Sequence, residues 1–128
     1  MKMRSSFPTI LPCALIAFIC PCATSPKSGS AALAGRWTNS VGTVWTIRAD
    51  GTFNVDTNHD GKPDIWGAYT VAGDTVTMRR TAGKTSKDCR GTGVYKFSRA
   101  NENTLIFTLV NDACKDRKKD MLLAWHQK

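Results

Sequence analysis

The 128-residue chain reads as an all-β protein: a small eight-stranded antiparallel up-and-down barrel with one disulfide. Three observations predict this. Apolar and polar residues alternate with a period of two along eight short runs, and no stretch sustains the 3.6-residue period of an amphipathic helix. Turn-forming Gly, Asn and Asp separate most of the runs, so consecutive strands pair as neighbours. A meander of this size, left open, would present two raw edges, and closure removes them.

The eight runs are Arg36–Asn39, Val44–Arg48, Thr52–Asp56, Ile65–Val71, Thr75–Thr81, Gly93–Arg99, Thr104–Asn111 and Met121–Gln127. Turns fall at Ala49-Asp50-Gly51, Ala72-Gly73-Asp74 and Ala100-Asn101-Glu102-Asn103. Alternation assigns an inward set: Trp45, Ile47, Phe53, Val55, Ile65, Tyr69, Val71, Val76 and Met78 in the first five runs. In the last three it assigns Tyr95, Phe97, Leu105, Phe107, Leu109, Met121, Leu123 and Trp125. Trp37 joins this core, Trp66 falls on the outer face, and His126 points to solvent. An eight-stranded barrel is just wide enough to be filled by side chains or to hold one small ligand. Inward residues this large favour filling.

Met1–Thr24 has the form of an export signal: Lys2 and Arg4, then an apolar stretch Ile10–Cys20 too short to span a bilayer. No transmembrane helix is expected, and the protein should be periplasmic or secreted. A lipid anchor on Cys20 or Cys22 is disfavoured, because Ile19 and Pro21 stand where a bacterial lipobox wants a small residue. Ser25–Ala34 is small and polar and reads as a flexible spacer. The folded domain is then Gly35–Lys128. Of the five cysteines, Cys13, Cys20 and Cys22 fall in the signal. Cys89 and Cys114 remain, an even count in an exported chain, and are paired. They lie symmetrically about the Asn101 turn. That symmetry sets Phe97 opposite the outward Ile106, a conflict that a β-bulge would resolve.

The densest chemical signal is Asp56-Thr57-Asn58-His59-Asp60-Gly61-Lys62-Pro63-Asp64. Side-chain oxygens stand at loop positions 1, 3, 5 and 9, glycine at 6, and a backbone carbonyl at 7. That is the order in which a hard cation such as Ca²⁺ is wrapped by one tight loop. Position 12 is Gly67 rather than a bidentate Glu, and no helices flank the loop, so it is not an EF-hand. The string resembles the shorter calcium loops of integrin-type FG-GAP repeats. That resemblance implies metal ligation by Asp56, Asn58, Asp60, the Lys62 carbonyl and Asp64. The alternative is a polar hairpin turn, which uses the same residue types.

Gly35-Arg36-Trp37 resembles the G-x-W of lipocalins, whose Trp plugs the barrel floor. Cys-x-Gly-x-Gly-x-Tyr-x-Phe (Cys89–Phe97) and Asn-Asp-Ala-Cys-x-x-Arg (Asn111–Arg117) resemble small bacterial lipocalin-like domains. The resemblance implies the fold and a barrel that binds a small apolar or amphipathic molecule. The alternative is an interaction protein, of the kind of small exported barrels that inhibit proteases or lysozymes. Fold alone does not choose between them.

The formal net charge is +8, or +6 without Lys2 and Arg4. The basic cluster Lys115, Arg117, Lys118 and Lys119 reads as a solvated loop that could meet an acidic partner, and Trp66 as an exposed anchor beside the calcium loop. Export argues against nucleic acid. The two histidines, His59 and His126, make no nucleophile–base pattern, so the protein is read as a monomeric binding protein and not as an enzyme.

Overall fold

Period-two alternation becomes a closed barrel in the computed structural model, which describes residues 29–84 and 86–128. The expected export signal and the start of the expected spacer lie outside the described residues. The strands are β1 (Gly35–Thr38), β2 (Val44–Ile47), β3 (Thr52–Asp56), β4 (Ile65–Ala72), β5 (Thr75–Gly83), β6 (Gly93–Asn101), β7 (Thr104–Asn111) and β8 (Trp125–Gln127). Each pairs antiparallel with the next, and β8 returns to β1 through Trp37↔Gln127 and Thr38↔His126. Two short helices complete the described chain: α1 (Ser30–Leu33) before β1, and α2 (Lys115–Met121) between β7 and β8.

The register explains the core. Trp37 pairs with Trp45, Trp45 with Val55, Tyr69 with Met78, and Val76 with Tyr95, so each inward residue meets another. Phe97 sits opposite Phe107, not Ile106. Two bulges restore the alternation: one between Val94 and Tyr95, one between Arg99 and Asn101. Trp37, Trp45, Phe53, Tyr95, Phe107 and Trp125 fill the interior, with Trp45 touching Phe53, Phe107 and Trp125 at ring-centroid distances of 5.9, 5.5 and 5.2 Å. The barrel is thus packed rather than hollow through most of its length.

The two ends differ. Short turns join β2 to β3, β4 to β5 and β6 to β7 at the floor. There Trp37 donates its indole N–H to the Leu33 carbonyl at 2.9 Å. The Arg99 guanidinium lies over the same ring at 5.5 Å and donates to the carbonyls of Ala32 and Glu102 at 2.7 and 2.6 Å. The longer connections all lie at the other end, the mouth.

Four expectations are corrected. Ser30–Ala34, read as the end of a spacer, belongs to the fold: Leu33 is 1% exposed and α1 seals the floor. Lys115–Lys119, read as a loop, is the body of α2. Met121 ends that helix, so the last strand is only Trp125–Gln127. Leu109, expected to point inward, is 40% exposed although it pairs with the buried Tyr95.

Candidate functional site at the barrel mouth

The mouth is held by a covalent and an ionic tie. Cys89 and Cys114 form a disulfide that joins the 3₁₀ turn Lys87–Cys89 to the start of α2. Beside it, Arg117 forks onto Asp112: Nε donates to Oδ2 at 2.6 Å and Nη2 to Oδ1 at 2.7 Å. The Tyr95 hydroxyl also donates to Asp112 Oδ2, and the Cys114 N–H to Oδ1 at 2.9 Å. The Asp112 side chain is fully buried and that of Arg117 nearly so. Burial alone would raise the Asp112 pKa, but the donors from Arg117, Tyr95 and Cys114 outweigh it and hold the carboxyl below the ordinary carboxylate range. Burial and the Asp112 hydrogen bond push the Tyr95 phenol far up. Gly93 is required here, since a Cβ would come within 2.6 Å of Asp112 Oδ2 and 2.8 Å of Arg117 Nε.

The tie explains why α2 forms. The Cys114 sulfur accepts from the Arg117 N–H at 3.3 Å as an N-cap. Asp116 lies in the first turn and Lys118 and Lys119 in the last, each matched to the helix dipole.

Inside the tie lies a two-tiered opening. The inner tier is a pocket of about 110 Å³ walled by Trp45, Phe53, Val55, Met78, Met121 and Trp125. It shares Thr57, Ile65, Arg80, Asp116 and Asp120 with an outer cleft of about 710 Å³. The rim mixes signs: Asp64, Asp116 and Asp120 against Arg80, Lys84 and Lys119. Burial raises the Asp120 pKa despite a hydrogen bond from the Thr43 hydroxyl. Burial, then the like charge of Arg117, lowers that of Arg80, whose guanidinium donates to the Lys84 carbonyl. Among the described residues the indole N–H groups of Trp45 and Trp125 are fully buried and have no acceptor. Each such unmade hydrogen bond costs roughly 1–3 kcal/mol.

The Asp56–Asp64 loop overhangs this end. Asp56 is buried and accepts the N–H of His59 and of Gly61, both at 2.9 Å, through its two carboxylate oxygens. This turns the chain about Asp56, with His59 and Gly61 in the left-handed region at φ 63° and 82°. Asn58 Oδ1 accepts from Asp60 N–H, Asp60 Oδ1 from Lys62 N–H at 2.8 Å, and Asp64 from the Thr57 hydroxyl at 2.6 Å. The donor set fits a hard cation in kind. As placed, the side chains serve the loop's own N–H groups, and among the described residues no three His, Cys, Asp or Glu side chains converge as ligands would.

The other sequence-predicted residues scatter. Trp66 is 42% exposed on the outer wall, opposite Asn54, and does not line the opening. Lys115 is exposed at the start of α2, Lys119 lines the outer cleft, and Arg117 is spent on Asp112. Sequence reasoning missed Arg80, Asp112 and Asp120. The Asn-Asp-Ala-Cys-x-x-Arg string held the signal for Asp112, but its pairing with Arg117 needs a helix too short to show a period.

This is an antiparallel eight-stranded barrel with a disulfide-braced mouth and a small apolar pocket behind it. The chain matches no family model, no curated protein and no solved structure. Among the described residues no helix is long and apolar enough to cross a membrane.

Proposed function

We propose that the protein is an exported, lipocalin-like binding barrel that takes a small molecule at its mouth, with the Asp56–Asp64 loop holding a structural Ca²⁺. The observation that carries the binding reading is the apolar pocket of about 110 Å³ opening into a polar-rimmed cleft at the end where all the long connections gather. Ligand pockets have this form: apolar walls with a few polar groups that orient the guest. A volume this small limits what goes inside to a fragment of a few heavy atoms, since about 150 Å³ suffices for benzene. The rest of a larger ligand would lie in the cleft. The Trp37 floor, plugged by α1 and Arg99, supports the lipocalin likeness, and the disulfide supports export. A non-catalytic role is supported by the placing of the histidines: the His59 ring packs toward Gly42 at the mouth, whereas His126 meets the Thr104 hydroxyl near the floor.

The test is a Trp-fluorescence and thermal-shift screen of small neutral and charged amphipathic molecules against wild type and Val55→Phe. Val55 lines the inner tier, so hits should be lost in the variant. A screen whose every hit survives Val55→Phe, or that gives none, defeats the reading.

A second reading, an inhibitor-type interaction protein, is favoured by one observation. The core is largely filled while Trp66 and the β7 residues Ile106 and Val110 stand exposed on the outer wall. Exposed aromatic and apolar side chains are the usual anchors of protein contacts. It predicts inhibition of a secreted protease or lysozyme that Trp66→Ala weakens.

A further inference from the structure

We infer that the mouth takes a small zwitterion, an α-amino acid with a short aliphatic side chain: the tail fills the inner tier, Asp120 receives the ammonium group and Arg80 the carboxylate. This rests on the reading of the mouth as a small-molecule site and assigns that site its guest.

Two opposite charges stand at the step between the tiers. Asp120 and Arg80 each line both the apolar inner pocket and the outer cleft. Both are half-buried. Charges drawn into a protein are normally paired. Among the described residues the only ion pair is that of Arg117 with Asp112, so neither Asp120 nor Arg80 has an ionic partner. Asp120 Oδ2 accepts from the Thr43 hydroxyl at a long 3.4 Å, and Arg80 Nη1 donates to the Lys84 carbonyl. That leaves Asp120 Oδ1 and the rest of the Arg80 fork unused. They are also within reach, because the only sealed, unpartnered side-chain atoms among the described residues belong to Asn39, Trp45 and Trp125.

The helix turns Asp120 to the opening. Asp116, Arg117, Asp120 and Met121 share one face of α2, and all four line the inner pocket. Thr43, the hydrogen-bond partner of Asp120, lines it too. Arg80 comes from another element, β5. The charges that act on Arg80 are those of Arg117, Asp116 and Asp64, and those that act on Asp120 are Lys119 and Asp116. Arg80 and Asp120 therefore do not neutralise each other. A pure cation would meet Arg80, Lys84 and Lys119 at the rim, and a pure anion would meet Asp64, Asp116 and Asp120. A guest that carries both signs satisfies both charges at once. Burial raises the pKa of Asp120 and lowers that of Arg80, and the guest's opposite charges would offset both shifts.

The inner tier sets the tail. Its walls Phe53, Val55 and Met78 are apolar. Its volume of about 110 Å³ is below the roughly 150 Å³ that holds benzene, so a branched chain of three or four carbons enters and an aromatic ring does not.

The experiment is a titration at pH 7 followed in ¹H–¹⁵N spectra of the protein. The probes share one tail: L-leucine, 3-methylbutylamine (leucine without its carboxylate) and 4-methylpentanoate (leucine without its ammonium group). Leucine should bind, and each half-molecule should bind about tenfold more weakly. L-phenylalanine should be refused, and Val55→Phe should remove leucine binding. Asp120→Asn should weaken leucine and the amine but not 4-methylpentanoate, and Arg80→Gln should do the reverse. The wild-type series decides even if a variant fails to fold. A half-molecule that binds as tightly as leucine, phenylalanine bound as well as leucine, or leucine binding unchanged in both charge variants would overturn the zwitterion reading and leave the pocket a binding site. So would failure of leucine alongside another hit that Val55→Phe abolishes. Failure of leucine together with failure of the Val55→Phe screen would remove both.

Discussion

Asp112 is the residue whose loss the mouth should feel most. Its carboxylate receives Arg117, Tyr95 and the Cys114 N–H at once. Truncation to Ala would leave a buried guanidinium without its partner, a change that costs roughly 3–5 kcal/mol. Urea unfolding of Asp112→Ala should show that loss. The pH dependence follows from the depressed Asp112 pKa. The stability it contributes is fully present above the ordinary carboxylate value of about 3.9 and is lost as pH falls through the folded value. Asp112→Asn should therefore flatten the acid limb of the urea midpoint between pH 7 and pH 2. Asp120 has the opposite sign: burial raises its pKa, so its ionisation withdraws stability as pH rises through the raised value. At the same scale, Trp66 is 42% exposed and the other three tryptophans are buried. Acrylamide should lose its quenchable fraction in Trp66→Phe, and an unchanged fraction would place the accessible indole elsewhere.

Elements at the mouth are short and depend on their ties. The 3₁₀ turn Lys87–Cys89 and α2 touch through a disulfide that closes a loop of 25 residues. A loop of that length contributes roughly 3 kcal/mol by restricting the unfolded chain. Cys89→Ala should lower stability by about that amount, while alkylation of both thiols in the unreduced protein would refute the pairing. The Asp56–Asp64 loop is the other element with its own test. Its site has five protein groups and no bidentate Glu, so the proposed Ca²⁺ should bind at about 10⁻⁴–10⁻³ M. Ten-millimolar Ca²⁺ at the weaker end of that range adds about 1.4 kcal/mol by mass action. Melting curves should rise by about 5 °C or more in Ca²⁺ over EDTA, less in Mg²⁺, and not at all in Asp60→Ala. Equal melting in EDTA and Ca²⁺ would make the loop a polar turn held by its own carboxylates.

At the scale of the whole molecule, closure is uneven. β4 and β5 pair over eight residue pairs, whereas β8 meets β1 and β7 over two each. The seam is completed by single bonds from Gln127 N–H to the Asn103 carbonyl and from Lys128 N–H to the Arg36 carbonyl, at 2.8 and 2.9 Å. Local opening starts where few bonds hold the ladder. Amide exchange should therefore be fastest among the strands at β8 and slowest in β4–β5. Protection of β8 equal to that of β4–β5 would show that Trp125, buried against Trp45, holds the seam by packing alone.

The strands were legible in the sequence because each is a local pattern. Period two needs only four to nine residues, and seven of the eight runs match within two residues at either end. The pairing of Cys89 with Cys114 was legible by elimination. The sequence also contained the calcium-loop string, whose spacing is local, but not whether Asp56 turns outward to a metal or inward to the N–H groups of His59 and Gly61. That choice depends on the path of the loop. The tertiary structure alone decided α2, whose seven residues span two turns and owe their stability to Asp112, Cys114 and the dipole-matched charges. It decided the bulges at Val110 and Ala100, because register is a property of two strands together. It decided the pocket as well. Trp45 and Trp125 are 80 positions apart in the chain, and no pattern within either run says that both wall one cavity.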